Sequence, residues 1–246
     1  MLAIFDKTVA TIPKPEGLEL HTAESVSALK DECLSSYFAS KYPGSIEIDR
    51  RPACMICSKT DVRDPISPSV FAMKDDIFCF LRGRIENIPD RLTVYKVKKE
   101  INDQANILID AYITQRRRDG DDGPEPKSQK TIRQFYWFSL LKGFRGNFAF
   151  VLFDARKNIM FAATDVGADT GLPFYWGTDV EGNLLLSSDV EIIKQGCDKS
   201  YGSFPKGCYI MTSMGLRSFA DPHKELEVEQ ARDNVGNLCM MVNLEA

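Results

Sequence analysis

The sequence predicts a single α+β domain whose strands are covered on both faces by other layers. Three observations predict it. The 246 residues are 43% apolar and 27% charged, a globular composition long enough to bury a core without disulfide or metal. In the segment 148–153, Phe148, Phe150 and Leu152 alternate with Ala149, Val151 and Phe153, so both faces of that strand need apolar partners. Two further stretches carry apolar residues at helical spacing among several that read as strands.

In chain order, a loop at 11–17, marked by Pro13 and Pro15, comes first. Val26, Leu29, Cys33, Leu34, Tyr37 and Phe38 then predict a helix over 25–40, stopped by Pro43. The run 77–85 is rich in Ile, Phe and Leu and reads as a strand. Ile107, Leu108, Ala111 and Tyr112 predict a second helix over 103–117, with Asn102 or Asp103 as N-cap and Arg116, Arg117 and Arg118 complementing its C-terminal dipole. Residues 119–130, with Gly120, Gly123, Pro124 and Pro126, read as an exposed insertion within the single domain 1–246. Strands follow at 148–153 and 159–163, joined by a polar connection at 154–158 that predicts a β-hairpin. Further strands are expected at 184–187 and 208–212.

Composition removes several function classes. Lys plus Arg number 31 against 35 Asp plus Glu, a net charge of −4, which gives no global attraction to nucleic acid or an anionic membrane. The longest apolar run falls far below the roughly 20 residues a spanning helix needs. The apolar start, Met1 to Phe5, is too short for a signal-peptide core of about 7–15 residues. Seven cysteines is an odd count, and no Asn-x-Ser/Thr acceptor occurs, so reduced thiols in the cytoplasm or nucleus are expected. No glycine-rich phosphate loop or dinucleotide fingerprint occurs, so no cofactor is expected. His21 and His223 form no metal-ligand pair, and no metal is expected. Cys54 and Cys57 make a lone Cys-x-x-Cys in a segment that reads as loop, open to three readings: a zinc ligand pair, a redox pair, or inert thiols.

The sharper pattern is a succession. Asp75-Asp76-Ile77-Phe78-Cys79 leads to Arg82-Gly83-Arg84, then to Gly146-Asn147-Phe148-Ala149-Phe150, Asp165, Pro173-Phe174-Tyr175 and Leu184-Leu185-Leu186-Ser187. This order resembles the glutaminase domain of class II glutamine amidotransferases, best known from asparagine synthetase. Met1 to Phe5, Asp75 to Cys79, Phe204 to Cys208 and Gly215 to Phe219 extend the resemblance over nearly the whole chain, to the plant aluminium-induced or stem-specific family named for YGL and LRDR motifs. Those two motifs here read Tyr95-Lys96-Val97 and Gln115-Arg116-Arg117-Arg118. The resemblance implies a four-layer αββα sandwich of the N-terminal-nucleophile (Ntn) hydrolase type and a homodimer.

In that family of enzymes the mature chain begins with a cysteine whose thiolate attacks the glutamine amide and whose α-amino group acts as base. Leu2 stands at that place here, so the resemblance implies no catalytic residue. An Asn side chain and the next Gly amide form the family's oxyanion hole; by position these are Arg82 and Gly83, with Arg84 where the enzymes carry Glu. Strand periodicity puts Arg82, Arg84 and Glu86 on one face, and Gly83, Ile85 and Asn87 on the other. Arg82, Gly83, Arg84, Asn87 and Asp103 therefore mark a remnant substrate pocket suited to an anion, with Gln104 sharing the Asp103 position. The expectation is a catalytically inactive, stress-responsive binding or regulatory protein, its partner a protein or a small anionic ligand. Two alternatives stand beside it: an amidohydrolase with another nucleophile, such as Cys54 or Cys57, and a Cys-x-x-Cys thiol or metal module.

Overall fold

We describe the protein from a computed structural model, over residues 1–10, 12, 31–58, 68–88, 101–118, 143–165, 172–197, 200–212, 214–232 and 238–242. The first half contains β1 (Leu2–Phe5), α1 (Asp31–Lys41), β2 (Ile46–Arg50), β3 (Ala53–Cys57), β4 (Ser69–Lys74), β5 (Ile77–Ile85) and α2 (Ile101–Arg118). The second contains β6 (Gly146–Asp154), β7 (Ile159–Thr164), β8 (Tyr175–Thr178), β9 (Leu184–Ser187), α3 (Val190–Cys197), β10 (Tyr201–Ser203), β11 (Cys208–Met211), β12 (Gly215–Ser218), β13 (Val228–Arg232) and β14 (Leu238–Val242). Two six-stranded antiparallel sheets form, ordered β10-β8-β9-β1-β3-β2 and β12-β11-β7-β6-β5-β4, and β13 pairs with β14 alone.

Side-chain alternation sorts the apolar residues into three clusters. Ala3, Phe5, Met55, Trp176 and Leu186 of the first sheet share one cluster with Phe78, Phe80, Val151, Phe153 and Ile210 of the second. Phe5 meets Phe153 edge-on, with ring centroids 5.5 Å apart, so the central strands of both sheets contribute aromatic rings to it. The opposite face of the second sheet, with Cys79, Leu81, Phe150 and Leu152, packs on Ala105, Leu108, Ile109 and Tyr112 of α2. The opposite face of the first, with Leu2, Ile4, Ile56 and Leu185, packs on Leu34 and Phe38 of α1 and Ile192 and Ile193 of α3. Each face of β6 thus has its own apolar partner, as its sequence requires.

The expected hairpin is β6–β7, in register from Asp154↔Ile159 to Ala149↔Thr164. Its turn is held by the buried Asp154, whose Oδ1 accepts the Arg156 and Lys157 amides at 3.0 and 3.2 Å. Asn158 closes it at φ 53°, a left-handed conformation Asn tolerates. The Tyr112 hydroxyl of α2 donates to Asp154 Oδ2 at 3.1 Å, tying the helix to the turn.

Strands β5 and β9 carry the expected bounds, and β11 ends one residue early. Helix α2 runs two residues further at its start and one at its end; α1 ends at Lys41, and its expected start at 25 lies outside the described residues. The insertion at 119–130 and the segment 13–17 also lie outside them. One correction concerns the Cys-x-x-Cys segment, expected as loop: Ala53–Cys57 is a strand paired on both sides, with β1 and with β2.

Candidate functional site

Strand β5 sets the geometry where the remnant substrate pocket was expected. Phe78 and Phe80 face the cluster between the sheets, while Cys79 and Leu81 face α2, so Arg82 follows the phenylalanines onto the inter-sheet face. Gly83 has φ +81°, and a Cβ there would lie 2.0 Å from the Asn147 carbonyl oxygen and 2.5 Å from Leu172 Cδ1. Only glycine fits. Its N–H, expected as the surviving oxyanion donor, is instead donated to the Pro68 carbonyl at 2.8 Å, continuing the β4–β5 ladder. That amide is therefore committed within the sheet.

The other expected residues divide. Arg84 is exposed. Asn87 is a backbone clamp: its Nδ2 donates to the Gly143 carbonyl at 2.7 Å, and its Oδ1 accepts the Arg145 amide at 2.5 Å. Gln104 is buried and bonds both backbone groups of Ile85, each at 2.9 Å, which seats α2 on the end of β5. Asp103 lies in α2, and its side chain falls outside the described residues. Asp165 is buried beside β6, its N–H donated to the Phe148 carbonyl.

A cleft of about 400 Å³ opens where the β6–β7 ends of the second sheet meet the β8–β10 edge of the first. Asn147, Ala149, Thr164 and Asp165 line one side, and the 172–175 and 203–206 segments the other. Bonds across it include one donated by Thr164 Oγ1 to the Pro205 carbonyl at 2.9 Å and one by the Gly207 amide to the Asp165 carbonyl at 2.9 Å. Phe174 and Phe204 add an apolar wall, with centroids 5.2 Å apart. Arg82 does not itself line this cleft, but the registers Ser69↔Arg82, Arg82↔Ala149 and Ala149↔Thr164 run as one row across four strands, and Ala149 and Thr164 of that row do line it. Within that row the Arg82 Nε and the Ser69 Oγ are buried and have no hydrogen-bond partner. Sequence reasoning found Arg82 and missed Ser69, whose only signal is its register opposite Arg82.

Leu2 is fully buried on the helix-covered face of β1. Three positions apart on a strand, Cys54 and Cys57 lie on opposite faces, Cys54 with the α1–α3 side and Cys57 between the sheets. They can neither join in a disulfide nor bind one ion together, which removes the basis of the thiol or metal module. Burial pushes the Cys54 thiol up to about 12, opposed by a Ser35 hydrogen bond and reinforced by Glu47. Burial likewise pushes Cys208 up to about 12 and raises Cys79. Thiolates at these three positions are scarce at neutral pH. Among the described residues no His, Cys, Asp and Glu cluster of three could hold a metal ion.

The comparisons with known proteins bear on the whole chain. The model of the family described as aluminium induced protein matches residues 2–243. The chain belongs to the aluminium-induced protein family. A curated relative of this aluminium-induced protein is the stem-specific protein TSJT1 of Nicotiana tabacum, 24% identical over 163 residues, which cover 66% of this chain and 99% of the tobacco protein. Similar solved structures include the glutamine phosphoribosylpyrophosphate amidotransferase from B. subtilis, at 12% identity and a TM-score of 0.40, covering 68% of this chain and 34% of the enzyme. The aluminium-induced chain therefore spans about a third of that enzyme's length. A second is a glutamine aminotransferase class-II domain protein from Silicibacter pomeroyi, at 11% identity and a TM-score of 0.37, covering 61% of this chain and 71% of that one.

Proposed function

We propose that this aluminium-induced family member is a catalytically inactive, class II glutamine amidotransferase-like protein that binds a ligand or partner in a stress response, built as the four-layer αββα sandwich of the Ntn hydrolases. The layering is supported by the three apolar clusters: α1 and α3 on the first sheet, sheet on sheet, and α2 on the second. The inactivity rests on one observation above the others: the Gly83 N–H is donated to Pro68 and faces no reacting oxygen. Losing an oxyanion donor costs about 3–4 kcal/mol of transition-state stabilisation, and the buried Leu2 supplies no attacking atom. The exposed Arg84 and the inter-sheet Arg82 favour an anion where the enzymes hold a neutral amide. Cytoplasmic or nuclear residence with reduced thiols, and self-association as a homodimer, complete the reading.

The test is an ammonia-release assay with L-glutamine, run beside intact-mass analysis after incubation with 6-diazo-5-oxo-norleucine. No ammonia and no adduct are expected. Ammonia release abolished by thiol alkylation, with the analogue found on a cysteine, would overturn the reading and restore an amidohydrolase with a displaced nucleophile.

A further inference from the structure

Buried polar atoms are almost always hydrogen-bonded, because stripping water from them without a replacement is costly. The Ser69 Oγ and the Arg82 Nε break that rule together. They occupy directly opposed positions on β4 and β5, and Ser69 is only 7% exposed. Both lie on the inter-sheet face: Ser69 follows Phe71 along β4, and Arg82 follows Phe80 along β5, with Phe71 and Phe80 rings 4.9 Å apart. The next residue in the row is Ala149, which lines the 400 Å³ cleft. A hydroxyl and a guanidinium N–H, both unused and opposed in register one strand away from a residue that lines the cleft, form an acceptor-seeking pair.

We propose that Arg82 and Ser69 bind the carboxylate of a small organic acid whose apolar body occupies the cleft against Ala149, Leu172, Pro173 and Phe174. This rests on the reading of the chain as a binding protein and gives that protein its ligand class. An ionised carboxylate accepts the Nε–H of Arg82 and the Oγ–H of Ser69 and satisfies both at once. Guanidinium is the cation suited to planar, forked recognition of such a group. One half-buried guanidinium balances one negative charge, which favours a carboxylate over a phosphate dianion. The volume and the mixed apolar and polar lining suit a ligand of metabolite size.

The experiment uses the full chain and two probes, sodium hexanoate and inorganic phosphate, with sodium chloride at matched ionic strength as reference. Thermal unfolding and isothermal titration calorimetry are read for the wild type, Arg82→Gln and Ser69→Ala. Hexanoate is expected to raise the wild-type midpoint with a saturating dose response. Ser69→Ala should weaken hexanoate binding about tenfold or more, the loss of one hydrogen bond to a charged group, and Arg82→Gln should abolish it. The ligand-free Ser69→Ala protein should melt no lower than the wild type, since the substitution removes an unsatisfied hydroxyl. Absence of any hexanoate shift in the wild type overturns the proposal, as does equal binding by Ser69→Ala even if Arg82→Gln fails to fold. Saturable binding of phosphate without hexanoate overturns the carboxylate assignment. The ammonia assay answers a different question, so a failed hexanoate titration leaves catalytic inactivity standing and removes only the ligand.

Discussion

At the scale of single residues, Gly83 does two things that a side chain would prevent. Its positive φ turns the backbone, and its bare Cα lets the Asn147 carbonyl and Leu172 approach. Gly83→Ala is expected to cost about 2–4 kcal/mol through strain and backbone collision, seen as a lower urea midpoint with an unchanged m-value. Asp189 is a second such position. Its Oδ2 takes the Lys41 ammonium at 2.7 Å and the Tyr42 hydroxyl at 2.5 Å, and its Oδ1 accepts the Glu191 amide at the start of α3. Burial favours the neutral carboxyl, but the hydrogen bonds from Lys41, Tyr42 and Glu191 outweigh it and hold the group below its usual 3.8. A depressed folded value means stability that is complete above 3.8 and is lost as pH falls through the lower folded value. Asp189→Asn should therefore flatten the dependence of the unfolding midpoint on pH below that point, while leaving its dependence above pH 5 unchanged. An identical acid limb in the two proteins would show that Asp189 takes no part in it.

At the scale of elements, α2 is held at three points among the described residues: Gln104 on the Ile85 backbone near one end, Asp110 on the Lys74 ammonium of β4, and Tyr112 on Asp154 two turns after Gln104. Gln104→Ala leaves the Ile85 N–H and carbonyl without that partner in a buried site and is expected to cost about 2–3 kcal/mol. Hydrogen exchange of α2 amides should accelerate before that of β6 amides, and uniform acceleration would argue against a local anchor. The same elements show what the sequence made legible. β5 and β9 are runs rich in Phe, Leu and Ile, so propensity and core demand agree on their bounds, whereas β6 starts two residues before and ends one after its apolar run, and β7 ends one after. β1 and β3 escaped for opposite reasons. The first is only four residues long, and the second sits between Arg-Pro and Ser-Lys turn signals that local chemistry reads as loop, while pairing on both sides makes it strand. Arg82 was singled out from the sequence, but the occupied Gly83 amide and the position of Ser69 opposite Arg82 depend on register between strands, which no local pattern encodes. The clamping bonds of Asn87 carry no sequence signal, because a polar residue at a strand end serves a turn clamp as readily as a ligand.

Across the whole molecule, the inter-sheet cluster joins the two halves, and the Phe5–Phe153 contact lies at its centre. Phe5→Ala is expected to cost about 3–5 kcal/mol, the usual penalty for emptying a fully buried aromatic site. Near-ultraviolet circular dichroism should lose intensity along with the melting temperature, and retention of both would mean that the sheets meet elsewhere. The two sheets also differ in how they are threaded. Four neighbouring strands of the second, β4 to β7, are consecutive over residues 69–164. The first is interleaved: β1 lies between β3 and β9, so residues 2–5 border 53–56 on one side and 184–187 on the other. During synthesis on a ribosome, β1 has one open flank until Ser187 has left the exit tunnel, while β4, β5 and β6 have their sheet neighbours once Thr164 is out. The nascent chain thus carries an incomplete apolar slot, which invites a chaperone or a foreign strand for as long as the closing segment is still being made.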